Sequence, residues 1–199
     1  AGKYNLETKA GILNIEILPD KKILMEQNLP EFFGVIDKNE IADSLNISLD
    51  LISEDLPVQA VSTGLKDIIV PIRSLKELLE IKPDFDKIKE ISRKYDGAGY
   101  HVFTTETKLN STAHCRNFAP LYDIPEESAT GTASGALACY LFKYGIINEK
   151  QARNIIFEQG YSMNRPSEIS ASLQISEGII KRVCIGGIAG NLKEIEIEI

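Results

Sequence analysis

"EESATGTASGALACYL", residues 126–141, sets two carboxylates before a run of Ser, Ala, Thr and Gly, then turns apolar. Ala133, Ala136, Leu137, Tyr140, Leu141 and Tyr144 fall on three- and four-residue spacings, the stripe of a helix packed on a core. The helix is expected to begin at about Thr130–Thr132 and to stop at Gly145, a residue type common just past a last turn. The first N–H groups of such a helix have no carbonyl partner and carry the positive end of its dipole. Gly131 lets a ligand approach the backbone, and Thr130 and Thr132 add hydroxyl donors. Two readings stay open at this point. The turn is either a receptor for a carboxylate or phosphate or a run of residues that simply start helices well. Glu126 and Glu127 divide the same way, into proton-transfer groups beside a bound anion or solvated acids that favour the helix start.

Two common phosphate motifs are missing. No Gly-x4-Gly-Lys-Ser/Thr spacing occurs, and no GxGxxG follows a strand signal. The chain has 199 residues, 43% hydrophobic and 26% charged, close to an ordinary globular domain or two small ones. Its formal net charge of −7 argues against a nucleic-acid partner, and no window reaches the ~20 apolar residues of a membrane-spanning helix. Cys115, Cys139 and Cys184 are dispersed and odd in number, which suggests a reducing compartment such as the cytoplasm. Cys139 and Cys184 sit in apolar patterns where buried, inert thiols are common. The two histidines, His101 and His114, have no helix-spaced partner, so no metal site is expected.

Strand signals dominate the rest. Residues 10–27 read as two strands joined at Pro19–Lys22, and 58–61 and 68–72 as a strand pair around Gly64. Helices are expected near 38–45, after the N-cap Ser74, and from Asp84 to Tyr95 with a stop at Asp96–Gly97. "YHVFTT" reads as a strand and "ETKLNSTAHC" as a polar loop, followed by strands in "SEISASLQI", "IIKRVCIGG" and the alternating "LKEIEIEI". The fold class is therefore α+β, or mixed α/β, with three or four helices.

"RNFAPLYDIPEESATGTASGALACYL" resembles the phenazine-biosynthesis PhzF-type segment written R-x-F-x-P, a gap, then E-D-P-A-T-G-S-A before a helix. "FEQGYSMNRPSEI", residues 157–169, resembles that family's second signature, Q-G-x-x-M-x-R-P-S. The resemblance spans essentially the whole chain, strongly from Arg116 to Gly187. It implies a diaminopimelate epimerase-like fold, two pseudo-symmetric lobes that each curve a sheet around a central helix, with a cleft between them. Residues 1–30 and 188–199 would be a remnant of the first lobe, and 31–187 the second lobe with its central helix at 131–144. The family's first lobe also carries an N-terminal Glu and a His-containing motif that nothing here matches. The chain is therefore expected to be the C-terminal part of a longer protein whose general base lies elsewhere.

What the resemblance implies for function is an isomerase or epimerase that moves a proton on a small carboxylic acid without a cofactor. Glu127 takes the place of the family's catalytic Asp, and Thr132 that of its Ser. Thr130, Gly131, Thr132 and Ala133 would supply backbone and hydroxyl donors to the substrate carboxylate. Glu127 is one methylene longer than Asp, worth roughly 1 Å in a site where such displacements matter, and Ser128 replaces a Pro and is expected to loosen the turn. These departures keep a second function open, a binding protein for small carboxylates without turnover. A thiol-based racemase of related fold would have to use Cys115, with His114 lowering its pKa; adjacent strand residues, however, face opposite ways. Arg116 is either a structural ion pair or a substrate contact. Gln159, Gly160, Arg165 and Pro166 are expected to shape a loop beneath the cleft, and the alternating terminal strand makes a homodimer plausible.

Overall fold

A computed structural model describes residues 1–8, 11–188 and 190. The strands are β1 Gly2–Thr8, β2 Gly11–Ile17, β3 Ile23–Gln27, β4 Glu31–Val35, β5 Gln59–Ser62, β6 Lys66–Pro71, β7 Tyr100–Thr104, β8 Ala113–Ala119, β9 Ile124–Glu127, β10 Ile155–Gln159, β11 Ser167–Ser176 and β12 Ile179–Gly187. The helices are α1 Lys38–Leu45, α2 Leu75–Glu80, α3 Phe85–Lys94 and α4 Gly131–Lys143. All twelve strands join one mixed sheet in the order β1-β2-β3-β12-β11-β10-β8-β7-β6-β5-β4, with β9 paired to β8 beyond the end of β10. The β6–β7 and β8–β10 pairs are parallel, each crossed by helical chain, as parallel neighbours require.

Local chemistry sets the helix ends. Asp37, Ser74 and Asp84 cap α1, α2 and α3 by accepting from main-chain N–H groups of the first turn. α4 differs: Thr130 stands at its N-cap but makes no side-chain cap bond.

Two cores lie on the two faces of the sheet. One holds α1, α2 and α3 against Ile68, Val70, Tyr100, Val102 and Phe118. The other surrounds α4, which packs on β5, β6 and β7 and also on β11 and β12. Those strand groups lie far apart along the sheet, so the sheet must curl to reach the helix from both sides. Every residue from Ala133 to Leu141 is buried, well beyond the stripe that the sequence suggested. A helix apolar all round is one enclosed all round. Each large side chain buried on α4 contributes about 1.5–3 kcal/mol, and the Tyr140 and Tyr144 hydroxyls donate to the Pro57 carbonyl and Gln59 Oε1, at 2.6 and 2.7 Å. The approach is close at Gly135, where a Cβ would stand 2.9 Å from Thr63 Oγ1 and 3.2 Å from Ile185 Cγ1.

Several elements depart from the sequence expectation. The expected loop "ETKLNSTAHC" is strand from Ala113 onward, and all seven residues of β8 are buried between the two helical layers. β4, β9 and β10 carry no clean alternation that would have marked them. β1–β3 belong to the same sheet through the β3–β12 pairing. The alternating segment 192–199 lies outside the described residues.

Gly160 lies between β10 and β11 with φ 81°, and a Cβ there would collide with the Arg165 carbonyl oxygen and come within 2.8 Å of that of Ser128. Gly160→Ala is expected to lower stability by about 2–4 kcal/mol. A urea midpoint equal to wild type would show that this turn is not constrained as described.

Candidate functional site

The site is built where α4 begins. Thr130 Oγ1 donates to Glu127 Oε2 at 2.6 Å and accepts from Gln159 Nε2 at 3.0 Å. The hydroxyl that would ordinarily cap the helix is thus turned toward an acid and makes no cap bond to the first turn. Gly131 and Ala129 line a crevice of about 810 Å³. Its walls are apolar residues of β2, β3, β11 and β12, including Ile15, Met25, Ile169 and Ile185, with Asp20, Lys22 and Glu168 among the lining groups. That volume and character suit a small organic ligand. Gly131 and Thr132 are partly exposed, whereas Ala133 is fully buried and its amide is sealed. Glu127 is not part of the crevice wall; it lies behind Thr130 and touches it through the hydroxyl.

The two neighbouring acids part company. Glu126 takes a bidentate pair from Arg116, Nε to Oε1 at 2.8 Å and Nη2 to Oε2 at 3.0 Å. Arg116 Nη1 also donates to the Leu78 and Ile81 carbonyls, at 3.1 and 2.9 Å, satisfying orphan groups at the end of α2. Buried and with all three nitrogens engaged, Arg116 is a structural ion pair and not a receptor. Glu127 faces the other side of β9. The turn that Ser128 was expected to loosen is held by hydrogen bonds: Gln159 Nε2 donates to the Glu127 carbonyl at 2.7 Å and Ser167 Oγ to the Ser128 carbonyl at 2.6 Å. Gln159 therefore braces the site, and Pro166 lines the crevice.

Polar residues that sequence reasoning missed lie under the same helix end. Asp67, His101 and Asn117 are buried on β6, β7 and β8. Burial, followed by the negative charge of Glu127, pushes the Asp67 carboxyl up to about 8. Burial drives His101 down to about 4, against the opposing hydrogen bond to Asn117. The one available signal was a lone Asp heading the β-branched run "DIIVPI". Only the sheet register shows which side it faces.

The thiol alternative loses its geometry. Cys115 is buried on the α4 side and burial raises its pKa, while His114 faces the opposite side and pairs with Glu158 at 2.7 Å. Burial holds His114 below its ordinary pKa. Burial alone would raise Glu158, but bonds from Ser111, the Lys108 and Leu109 amides and His114 outweigh it and hold it low. A neutral His114 donating from Nδ1 to an ionised Glu158 satisfies both shifts. Through Glu158 the pair holds the 108–111 segment. All three cysteines are buried and free, and burial pushes Cys139 up to about 12.

The sequence profile of the phenazine biosynthesis-like protein (PhzC-PhzF) family matches residues 1–194. The chain belongs to that family. It is similar to an uncharacterized isomerase of Bacillus subtilis, 34% identical over 184 residues that cover 89% of this chain and 62% of the relative. It is also similar to the trans-2,3-dihydro-3-hydroxyanthranilate isomerase of Pseudomonas fluorescens, 26% identical over 186 residues, covering 92% and 62%. A crystal structure of a Bacillus anthracis PhzF-family protein superposes with a TM-score of 0.84 at 27% identity, covering 99% of this chain and 69% of that one. The chain thus spans 62–63% of the length of curated relatives that it matches. The diaminopimelate epimerase-like, mixed α/β fold expected from the motifs is the fold observed. Among the described residues no helix is long and apolar enough to cross a membrane.

The raised Asp67 makes a stability prediction. Below its ordinary value of 3.8 the carboxyl is protonated in both folded and unfolded chains, and its contribution is full. As pH rises toward about 8 only the unfolded chain ionises, so stability is lost through this interval. Asp67→Asn is expected to match wild type near pH 4 and to gain on it by on the order of 1.4 kcal/mol per pH unit up to the folded pKa. Chemical denaturation across this range checks it; parallel profiles for the two proteins would contradict a neutral buried Asp67.

Proposed function

We propose that the complete protein is an isomerase or epimerase that moves a proton on a small carboxylic acid without a cofactor. The observation that carries this reading is the diverted hydroxyl of Thr130. It leaves the dipole end of α4 uncapped beside an apolar crevice and puts a carboxylate one hydrogen bond behind that end. The Gly131 and Thr132 amides receive the substrate carboxylate, with the Thr132 hydroxyl beside them. The apolar walls receive its carbon skeleton. The family membership, and isomerase names among several relatives, support the same class of reaction.

In this scheme Glu127 moves a proton to or from substrate through the Thr130 hydroxyl, which already donates to it. Removing a proton next to an electron-withdrawing group leaves negative charge on the substrate, and the helix end stabilises charge at that place. A second acid/base group, needed to act on the other side of the migrating proton, is assigned to the part of the protein beyond this chain. Ala133 holds the helix start against the core and is not a contact. The substrate class is a cyclic or branched carboxylic acid small enough for about 810 Å³, and an anthranilate-type ring acid fits that description. We further propose a cytoplasmic homodimer.

The test is solvent-deuterium incorporation into a panel of cyclic and amino acids by the complete gene product. Exchange into one carboxylic acid is expected, with Glu127→Gln lowering the rate by about 10²–10⁴-fold. Saturable binding with no exchange would mean that the protein is a non-catalytic carboxylate binder. Unchanged exchange in the Gln variant would remove Glu127 from the chemistry.

A further inference from the structure

The sheet register brings four polar side chains onto one face beneath the first turn of α4. His101 stands opposite Asn117, and Asn117 opposite Glu127. Asp67 lies two residues before Ile69, the partner of His101 on β6, and opposite Val61, which packs in the core around α4. Asp67 is 2% exposed, His101 0% and Asn117 2%. His101 Nδ1 and Asn117 Oδ1 are 3.0 Å apart, yet Asp67 Oδ2, His101 Nε2 and Gln159 Oε1 have no protein partner. Buried polar atoms left without partners are few in a native protein and each is costly, so three around one helix end mark a polar cluster with a role beyond packing.

We propose that Asp67 is a positioning residue that sets the charge at the ligand-receiving end of α4. This rests on the reading that α4 receives a carboxylate. While Asp67 is neutral, Glu127 is the acidic neighbour that bears on it, and the positive helix end is left to attract the ligand. Once Asp67 ionises, a second negative charge shares the same helix end, and an anionic ligand is expelled.

Among the described residues no cation on the Asp67 face of the sheet offsets that charge, and across the crevice Lys22 is accompanied by the two acids Asp20 and Glu168. Lys66, next in the chain, alternates to the other side and pairs with Asp96 at 2.8 Å. Arg116 also faces away and is committed to Glu126. His101 is held neutral by burial, as is the Cys115 thiol on β8. Thr63 at the end of β5, Gln159 on β10, and Thr130 and Thr132 on α4 are uncharged. Ile185 is what β12 contributes here. Since burial places the Asp67 ionisation near 8, the switch falls in the mildly alkaline range.

The test uses the complete gene product with benzoate and 3-hydroxyanthranilate as probes, titrated calorimetrically at pH 6 and pH 9. Wild type is expected to bind on the order of tenfold more weakly at pH 9, and the ratio is expected to fall toward one in Asp67→Asn. Carbon-13 titration of the wild-type carboxyls should show Asp67 changing between pH 7 and 9, a readout that stands even if the variant does not fold. An Asp67 carboxyl already ionised at pH 6, or a variant that keeps the wild-type ratio, would overturn the inference and leave carboxylate binding intact. Failure of wild type to bind either probe at pH 6 would overturn both.

Discussion

The burial of α4 on all sides is the constraint on which the rest depends. Nine consecutive residues, Ala133 to Leu141, have no access to water, and a flat sheet can cover only one side of a helix. The strands on either side of the sheet must therefore bend toward each other until β5–β7 and β11–β12 both touch the helix. Small residues make this approach possible: Ala133, Ala136 and Ala138 keep the helix thin, and Gly135 fits between Thr63 and Ile185. Once the helix is enclosed, its polar N-terminus must emerge at a mouth of the enclosure. That mouth is the crevice.

The treatment of the mouth separates it from an ordinary helix start. The other three helices are capped by side chains from Asp37, Ser74 and Asp84. At α4 the residue type is right for a cap, but Glu127 draws the hydroxyl away and Gln159 braces it from the other side. Leaving a cap unmade costs about 1 kcal/mol, and burying Asp67 beside a carboxylate costs more. Such costs concentrate where a ligand later recovers them. The stability lost at α4 is held in the same groups that give the site its polarity.

Glu126 and Glu127 show how one strand position decides a role. They are adjacent, chemically identical and equally placed before the helix. β9 turns them to opposite faces, so Glu126 meets the Arg116 guanidinium and Ser162 while Glu127 meets Thr130 and the buried row of Asp67, His101 and Asn117. The first becomes a clamp between β9 and α2. The second is left beside a dipole end with a hydroxyl to work through.

The sequence by itself determined the start of α4, its Gly145 stop, the hairpin at Pro19–Lys22, the strand pair around Gly64, the helix near 38–45, the Ser74 cap of α2 and the helix that begins near Asp84. These are local matters of periodicity, capping and turn chemistry, each settled within a few residues. The motifs around Glu127 and Gln159 also identified the family. Only the tertiary structure decided which acid faces the helix end, that Arg116 is spent on α2, that Cys115 and His114 diverge, and that Ala133 is sealed. β8 is the clearest case, since Ala113–Cys115 close the expected polar loop and yet the whole strand is buried; His114 and Asn117 find their partners on other strands, at Glu158 and His101. Asp67 meets Glu127 for the same reason. Register between strands far apart in sequence sets which side chains share a face, and no short stretch of residues encodes that register.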